Sequence, residues 1–383
     1  MSTRETLHTT GRWLMAQRDW WLRGLLLAVL LNWPNAPGPL VVVGPPQTVQ
    51  TAHPVVCMHT RLTDEVEEWK IQRTLMMVRE LGATTIVEYF PWAYIESTRG
   101  RYDWDHSDRV IAHARAQGLT VVARLGMVPP WARPEAGGAT PPDTDLDPAH
   151  GSDFAAFVAA FVARYEGQVN HVIIWNEPNL TLEWGFRPVD PAGYVALLRE
   201  AYLAAKAANP AVLVLGGALA PTLEPDGSPN GLNDLIYLER MYAAGFSEVY
   251  DVLAVHAYGL AFPPEEPPDP GTVNFRRVEL LREMMVANGD GDKPIMITES
   301  GWNDSPRWVW AVRPGARIDY TIAAFAFAEE NWPYVTNVCT WAFRYPAPAY
   351  SHRDYYTLVT PEFLPKPIYY ELQGWATGRE ANP

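Results

Sequence analysis

From about residue 50 onward the chain alternates short apolar runs, rich in β-branched residues, with longer stretches whose apolar positions recur at helical spacing. Eight of the short runs read as strands: 54–59, 84–90, 120–126, 171–177, 211–217, 251–258, 294–299 and 335–343. The segments between them carry helix boundaries. Asp64 is placed to cap a helix that ends before Gly82, Asp153 opens a second, and Asp190 with Pro191 starts a third that stops near Pro210. Eight strands, each followed by a helix, predict a single (β/α)8 TIM barrel. An open doubly wound sheet is the competing architecture, but the Gly-rich phosphate turn it would carry after its first strand is missing.

The N-terminal stretch breaks this pattern. Arg4, Arg12, Arg18 and Arg23 lead into the apolar run GLLLAVLL, and a proline-rich segment follows. That order resembles an export signal or a membrane tether, although the apolar run is short for a bilayer span. Glu5 and Asp19 interrupt the basic region, which leaves a helix packed on the domain as the alternative. The division expected is 1–50 as a signal-like or anchoring segment with a Pro-rich linker, and 51–383 as the catalytic barrel. Location follows from the first reading as secreted or membrane-anchored outside the cell, and from the second as cytoplasmic.

Composition narrows the chemistry. The 383 residues carry a net charge of −14 with Lys and Arg dispersed, so the basic patch that nucleic-acid binding requires is not there. The 16 Trp and 18 Tyr offer flat aromatic faces suited to sugar rings. Histidine spacing gives no metal motif, and neither a metal nor a cofactor is expected. Cys57 and Cys339 fall on the first and last strands, which become neighbours when a barrel closes. A bridge is geometrically allowed there, but strand cysteines more often act as small hydrophobes, so the expectation is two free buried thiols.

Two strands end on an acid. The fourth runs through Ile173, Ile174 and Trp175 to Glu177, and the seventh through Ile295, Ile297 and Thr298 to Glu299. Strand C-termini form the active face of this barrel, so an acid at that position is aimed into a site. Period-two alternation predicts that Ile173, Trp175 and Glu177 share one face, as do Ile295, Ile297 and Glu299. Paired carboxylates across a barrel mouth are what glycoside hydrolysis uses. A lone strand-end Glu would equally serve a salt bridge or a helix cap.

The motifs WNEP (175–178) and TES (298–300), with the strand order around them, resemble the clan A retaining glycoside hydrolases. The resemblance implies Glu177 as general acid/base and Glu299 as nucleophile, with Asn176 on the sugar 2-hydroxyl. It implies His256 and Tyr258 at the end of strand six beside the nucleophile, and Trp341 on strand eight as a sugar floor. Arg124 stands on strand three, whereas the clan's supporting Arg is often on strand two. Trp92, Trp131, Trp184 and Trp302 follow strands as sugar platforms, two or more of them structural. The substrate implied is a β-glycoside or the corresponding L-sugar, in an oligosaccharide, polysaccharide or simple glycoside. A transglycosylase with the same residues and a non-catalytic carbohydrate-binding barrel are the alternatives. Glu88 on strand two is the reserve proton donor.

Overall fold

In the computed structural model the described residues are 41–135 and 140–379, together with Trp20. The chain divides into two units, Met1–Val42 and Val43–Pro383. The signal-like segment expected at the N-terminus lies outside the described residues, apart from Trp20 and positions 41–50. Among the described residues, no helix is long and apolar enough to cross a membrane.

The second unit is a closed parallel barrel in strand order one to eight. Its strands are β1 (Val56–His59), β2 (Thr85–Pro91), β3 (Thr120–Gly126), β4 (His171–Ile174), β5 (Leu213–Leu219), β6 (Val252–Tyr258), β7 (Ile295–Gly301) and β8 (Val335–Trp341). Each strand leads to a helix, from Glu68–Leu81 after β1 to Pro367–Ala376 after β8. Asp190 caps its helix as expected, accepting from the Gly193 amide. Asp153 sits inside the first turn of Gly151–Arg164, where it pairs with Arg99 and His150. Asp64 does not cap: that helix begins four residues later, at Glu68.

Two apolar layers sort the strand residues. Cys57, Val87, Val122, Ile173, Leu215, Val252, Ala254, Met296 and Cys339 fill the barrel interior. A far larger shell packs the outer strand faces against the helices. Cys57 and Cys339 stand opposite each other in the β1–β8 register and are joined as a disulfide, which corrects the expectation of free thiols. The reason is geometric. Both residues point inward from adjacent strands at the same level, so the two sulfurs meet inside the barrel instead of packing separately.

Strand parity also departs from simple alternation. Trp175 belongs to the outer shell while Ile173 faces inward, because β4 stops at Ile174 and Trp175 and Glu177 adopt left-handed φ values of 72° and 40°. On β7 the inward residue is Met296, with Ile295 and Ile297 outside. A register shift lies between Ile297 and Glu299 against β6, and between Ile297 and Ser300 against β8. One extra residue there flips the side-chain phase and returns Glu299 to the barrel mouth.

Candidate active site

Glu177 is placed by a bent loop rather than by a strand. Its amide donates to the Ala218 carbonyl of β5 at 3.0 Å, and the Trp175 amide donates to Leu125 of β3 at 2.9 Å. Trp175 turns outward, where its indole donates to the Glu183 carbonyl at 2.7 Å. Asn179, fully buried, accepts from the Ala220 amide and donates to the Ala220 and Leu232 carbonyls. Left-handed backbone at two non-glycine residues costs on the order of 1–3 kcal/mol each, and these contacts hold it in place.

Glu299 is buried at the centre of the mouth. Arg124 Nη1 donates to its Oε1 at 2.8 Å and, with the same nitrogen, to Asn176 Oδ1 at 2.7 Å. The Tyr258 hydroxyl donates to Oε2 at 2.7 Å. Arg124 itself lies over the Tyr89 ring, 4.7 Å from its centroid. Burial alone would raise the Glu299 carboxyl. The His256 and His59 imidazoles, Arg124 and Tyr258 outweigh it and hold the group well below the usual carboxylate range.

His256 Nδ1 lies 2.8 Å from Glu177 Oε1 and 3.8 Å from Glu299 Oε2. The resemblance placed His256 and Tyr258 beside Glu299: Tyr258 bonds to it, and His256 lies near it while making its shorter contact with Glu177. Burial would lower its pKa, but Glu299 and Glu177 prevail and raise it. Oxygens of Glu177 and Glu299 and a nitrogen of His256 all fall within 4.8 Å of one another. That trio could ligate a cation by distance. Arg124 and Tyr258 already occupy both oxygens of Glu299, however, and a dication would meet a fixed guanidinium charge.

A cavity of about 470 Å³ opens over these groups and is lined by Arg124, Asn176, Glu177, Tyr258, Glu299 and Trp341. Trp341 ends β8 and sits edge-on to Tyr258 and Tyr356. Trp92 and Trp302, expected as sugar platforms, are not in it. Trp92 is buried among Trp131, Phe154 and Phe157, with its indole bonded to Glu96. Trp302 packs on Phe275 and donates to the Phe262 carbonyl, so close to Gly259 that a Cβ there would lie 2.0 Å from the ring. Trp131 and Trp184 also lie outside the cavity lining. Both carboxylate oxygens of Glu88 are committed, to Thr60, Thr63 and the Leu62 and Tyr89 amides.

The cavity adds residues that strand patterns did not single out: Glu183, Arg61, Trp308, His352, Arg353 and Tyr356. Glu183 hydrogen-bonds Asn176, and its pKa is pushed up to about 7, first by burial and then by the nearby Glu177 charge. All but Arg61 and Glu183 come from the long loops after β7 and β8, where no periodicity marks them.

The architecture is a (β/α)8 TIM barrel, a fold it shares with solved glycoside hydrolases. No family model and no curated relative matches the sequence. Among solved structures, a family 39 glycoside hydrolase from Bacteroides cellulosilyticus WH2 superposes with a TM-score of 0.67 at 20% identity, over 87% of this chain and 65% of that one. This chain therefore spans just under two thirds of that protein's length. A monomeric β-xylosidase from Caulobacter crescentus CB15 gives 0.61 at 20% identity, covering 85% and 69%. A psychrophilic family 10 endo-β-1,4-xylanase gives 0.54 at 15% identity, covering 84% and 96%.

Proposed function

We propose that this chain is a retaining glycoside hydrolase acting on β-glycosides or the equivalent L-sugar linkage. The observation that carries the reading is the approach of Glu177 and Glu299 to within 4.8 Å between carboxylate oxygens at the barrel mouth. Retaining enzymes hold their carboxyl groups about 5–5.5 Å apart, whereas inverting ones leave about 6.5–9.5 Å for a water. The resemblance of WNEP and TES to clan A, and the fold shared with a β-xylosidase and a xylanase, point the same way.

In the first step a Glu299 oxygen attacks the anomeric carbon while the glycosidic C–O bond breaks. Glu177 gives its proton to the departing oxygen, and a glycosyl ester forms on Glu299. Arg124 and Tyr258 keep Glu299 ionised and aimed. His256 holds the Glu177 proton from the opposite side. In the second step Glu177 takes a proton from water, the water oxygen bonds to the anomeric carbon, and the ester breaks. Asn176 Oδ1 is taken by Arg124, which leaves its amide nitrogen for Glu183 and a sugar hydroxyl.

A panel of aryl β-glycosides, each with and without an acceptor alcohol, tests the assignment. Aryl alcohol release with retained configuration supports it. Transfer to the acceptor as the main outcome makes the protein a transglycosylase, and no release on any substrate rejects catalysis. The Cys57–Cys339 disulfide supports export, since such bonds persist in oxidising compartments. Secretion or tethering through the N-terminal segment is accordingly part of the proposal, tested by fractionating cells that express the full chain.

A further inference from the structure

A second cavity, of about 230 Å³, opens beside the first and is lined by His59, Tyr89 and Tyr94 on its far side. Arg61, Arg124, Asn176 and Glu183 line both, so the two are halves of one cleft. Both acids fix where the reacting bond lies. Glu177 and Glu299 border only the larger half, and so does Trp341, so the leaving oxygen and the carbon under attack both sit there. The sugar ring that carries this carbon turns one edge toward the smaller half.

His59 stands at that turn. It is the last residue of β1, 1% exposed, with Nε2 3.5 Å from Glu299 Oε1. Its Nδ1 lies 2.9 Å from the Thr60 carbonyl, which can only accept, so Nδ1 carries the hydrogen. Burial, followed by the Arg124 charge, lowers the His59 pKa to about 3, and the ring is neutral at working pH. Nε2 is then a bare lone pair. Among the described residues nothing donates to it, and the nearest polar group, Glu299, is an acceptor too. Arg124 adds a buried donor without a partner, its Nε. A buried acceptor left unmet is unfavourable, and a ring hydroxyl both donates and accepts.

We propose that one glycon hydroxyl, on the ring edge facing the smaller half of the cleft, donates a hydrogen bond to His59 Nε2, which makes His59 a specificity-determining residue. The inference rests on the glycosidase reading above. It explains why a neutral, tautomer-fixed imidazole is buried against an anionic nucleophile, where a protonated one would compete with Arg124 for Glu299.

The test uses the best aryl glycoside of the panel and its analogues with each glycon hydroxyl replaced in turn by hydrogen or fluorine. One position should lose about tenfold to a hundredfold in kcat/KM on either replacement, since fluorine cannot donate. His59→Phe should lose a similar factor on the parent substrate and little more on that one analogue. His59→Gln, which restores a distal acceptor, should recover much of the loss. Should His59→Phe fail to fold, the analogue series on the wild type still decides, because no donor-dependent position would overturn the inference. Full additivity of His59→Phe with every analogue would overturn it as well. If the wild type releases aryl alcohol from no glycoside, the glycosidase reading fails first and takes this inference with it.

Discussion

His256 Nδ1 lies 2.8 Å from Glu177 Oε1, so the imidazole and the carboxyl are hydrogen-bonded to each other. Removing the imidazole should then matter in proportion to how much the leaving group needs the Glu177 proton. His256→Phe is expected to lower kcat/KM by about 10²-fold on poor leaving groups and far less on activated phenols. A series of aryl glycosides of graded phenol acidity reads the difference. An equal loss across the series would mean that His256 does not act through Glu177.

Glu177→Ala should retain turnover of activated substrates once azide is added, with a β-glycosyl azide as product, because the small anion fits the vacated space. Glu299→Gln should lose on the order of 10⁴-fold or more and gain nothing on activated substrates, since an amide cannot form the ester. Product analysis by NMR checks both. Azide products from Glu299→Gln instead of Glu177→Ala would reverse the two roles.

The third carboxylate predicts a pH effect. Glu183 has a folded pKa raised from 4.5 to about 7, by burial first and Glu177 second. A raised carboxyl contributes stability below its unfolded pKa, and that contribution is lost as pH climbs through the folded value. Thermal stability should therefore decline between about pH 4.5 and 7, and Glu183→Gln should flatten that decline. The same ionisation places a negative charge beside Asn176 and Glu177, so kcat/KM should show an alkaline limb near pH 7 that moves upward in Glu183→Gln. An unmoved limb would assign it to another group.

The tryptophans separate by position. Trp302→Ala and Trp92→Ala should each cost about 3–5 kcal/mol of stability while leaving KM of the folded protein unchanged. Trp341→Ala, at the cavity wall, should impair kcat/KM with a smaller loss of stability. Chemical denaturation paired with kinetics on one preparation distinguishes the two patterns. A KM change in Trp302→Ala would place that ring in the site after all.

What the sequence makes legible depends on the kind of signal each residue carries. All eight strands were legible because each is an apolar run long enough to cross the barrel wall. Their phase was not, because the break at Trp175 and the bulge before Glu299 are backbone events with no side-chain signature. Glu177 and Glu299 were found for a reason partly independent of phase, namely an acid following an apolar strand. That rule passes over His59, which ends β1 but is no acid and whose significance rests on the Thr60 carbonyl that fixes its tautomer. Glu183, Trp308 and Arg353 sit in loops, where only folding brings them to the mouth. Trp92 and Trp302 mislead because an indole after a strand serves the outer shell as readily as a sugar.

Cys57 and Cys339 lie two residues below His59 and Trp341, which face each other across the same pair of strands. That pair is where the beginning and the end of the barrel sequence meet, the one seam with no short connection to span it. Closing a loop of 282 residues by a covalent bond stabilises the folded chain by on the order of 5 kcal/mol in the chain-entropy view. Cys57→Ala with Cys339→Ala should show a loss of that size in denaturant. Its deeper effect is on breathing: with this seam riveted, thermal opening must begin elsewhere. His59 and Trp341, paired in register just above the bond, are then held at a fixed spacing.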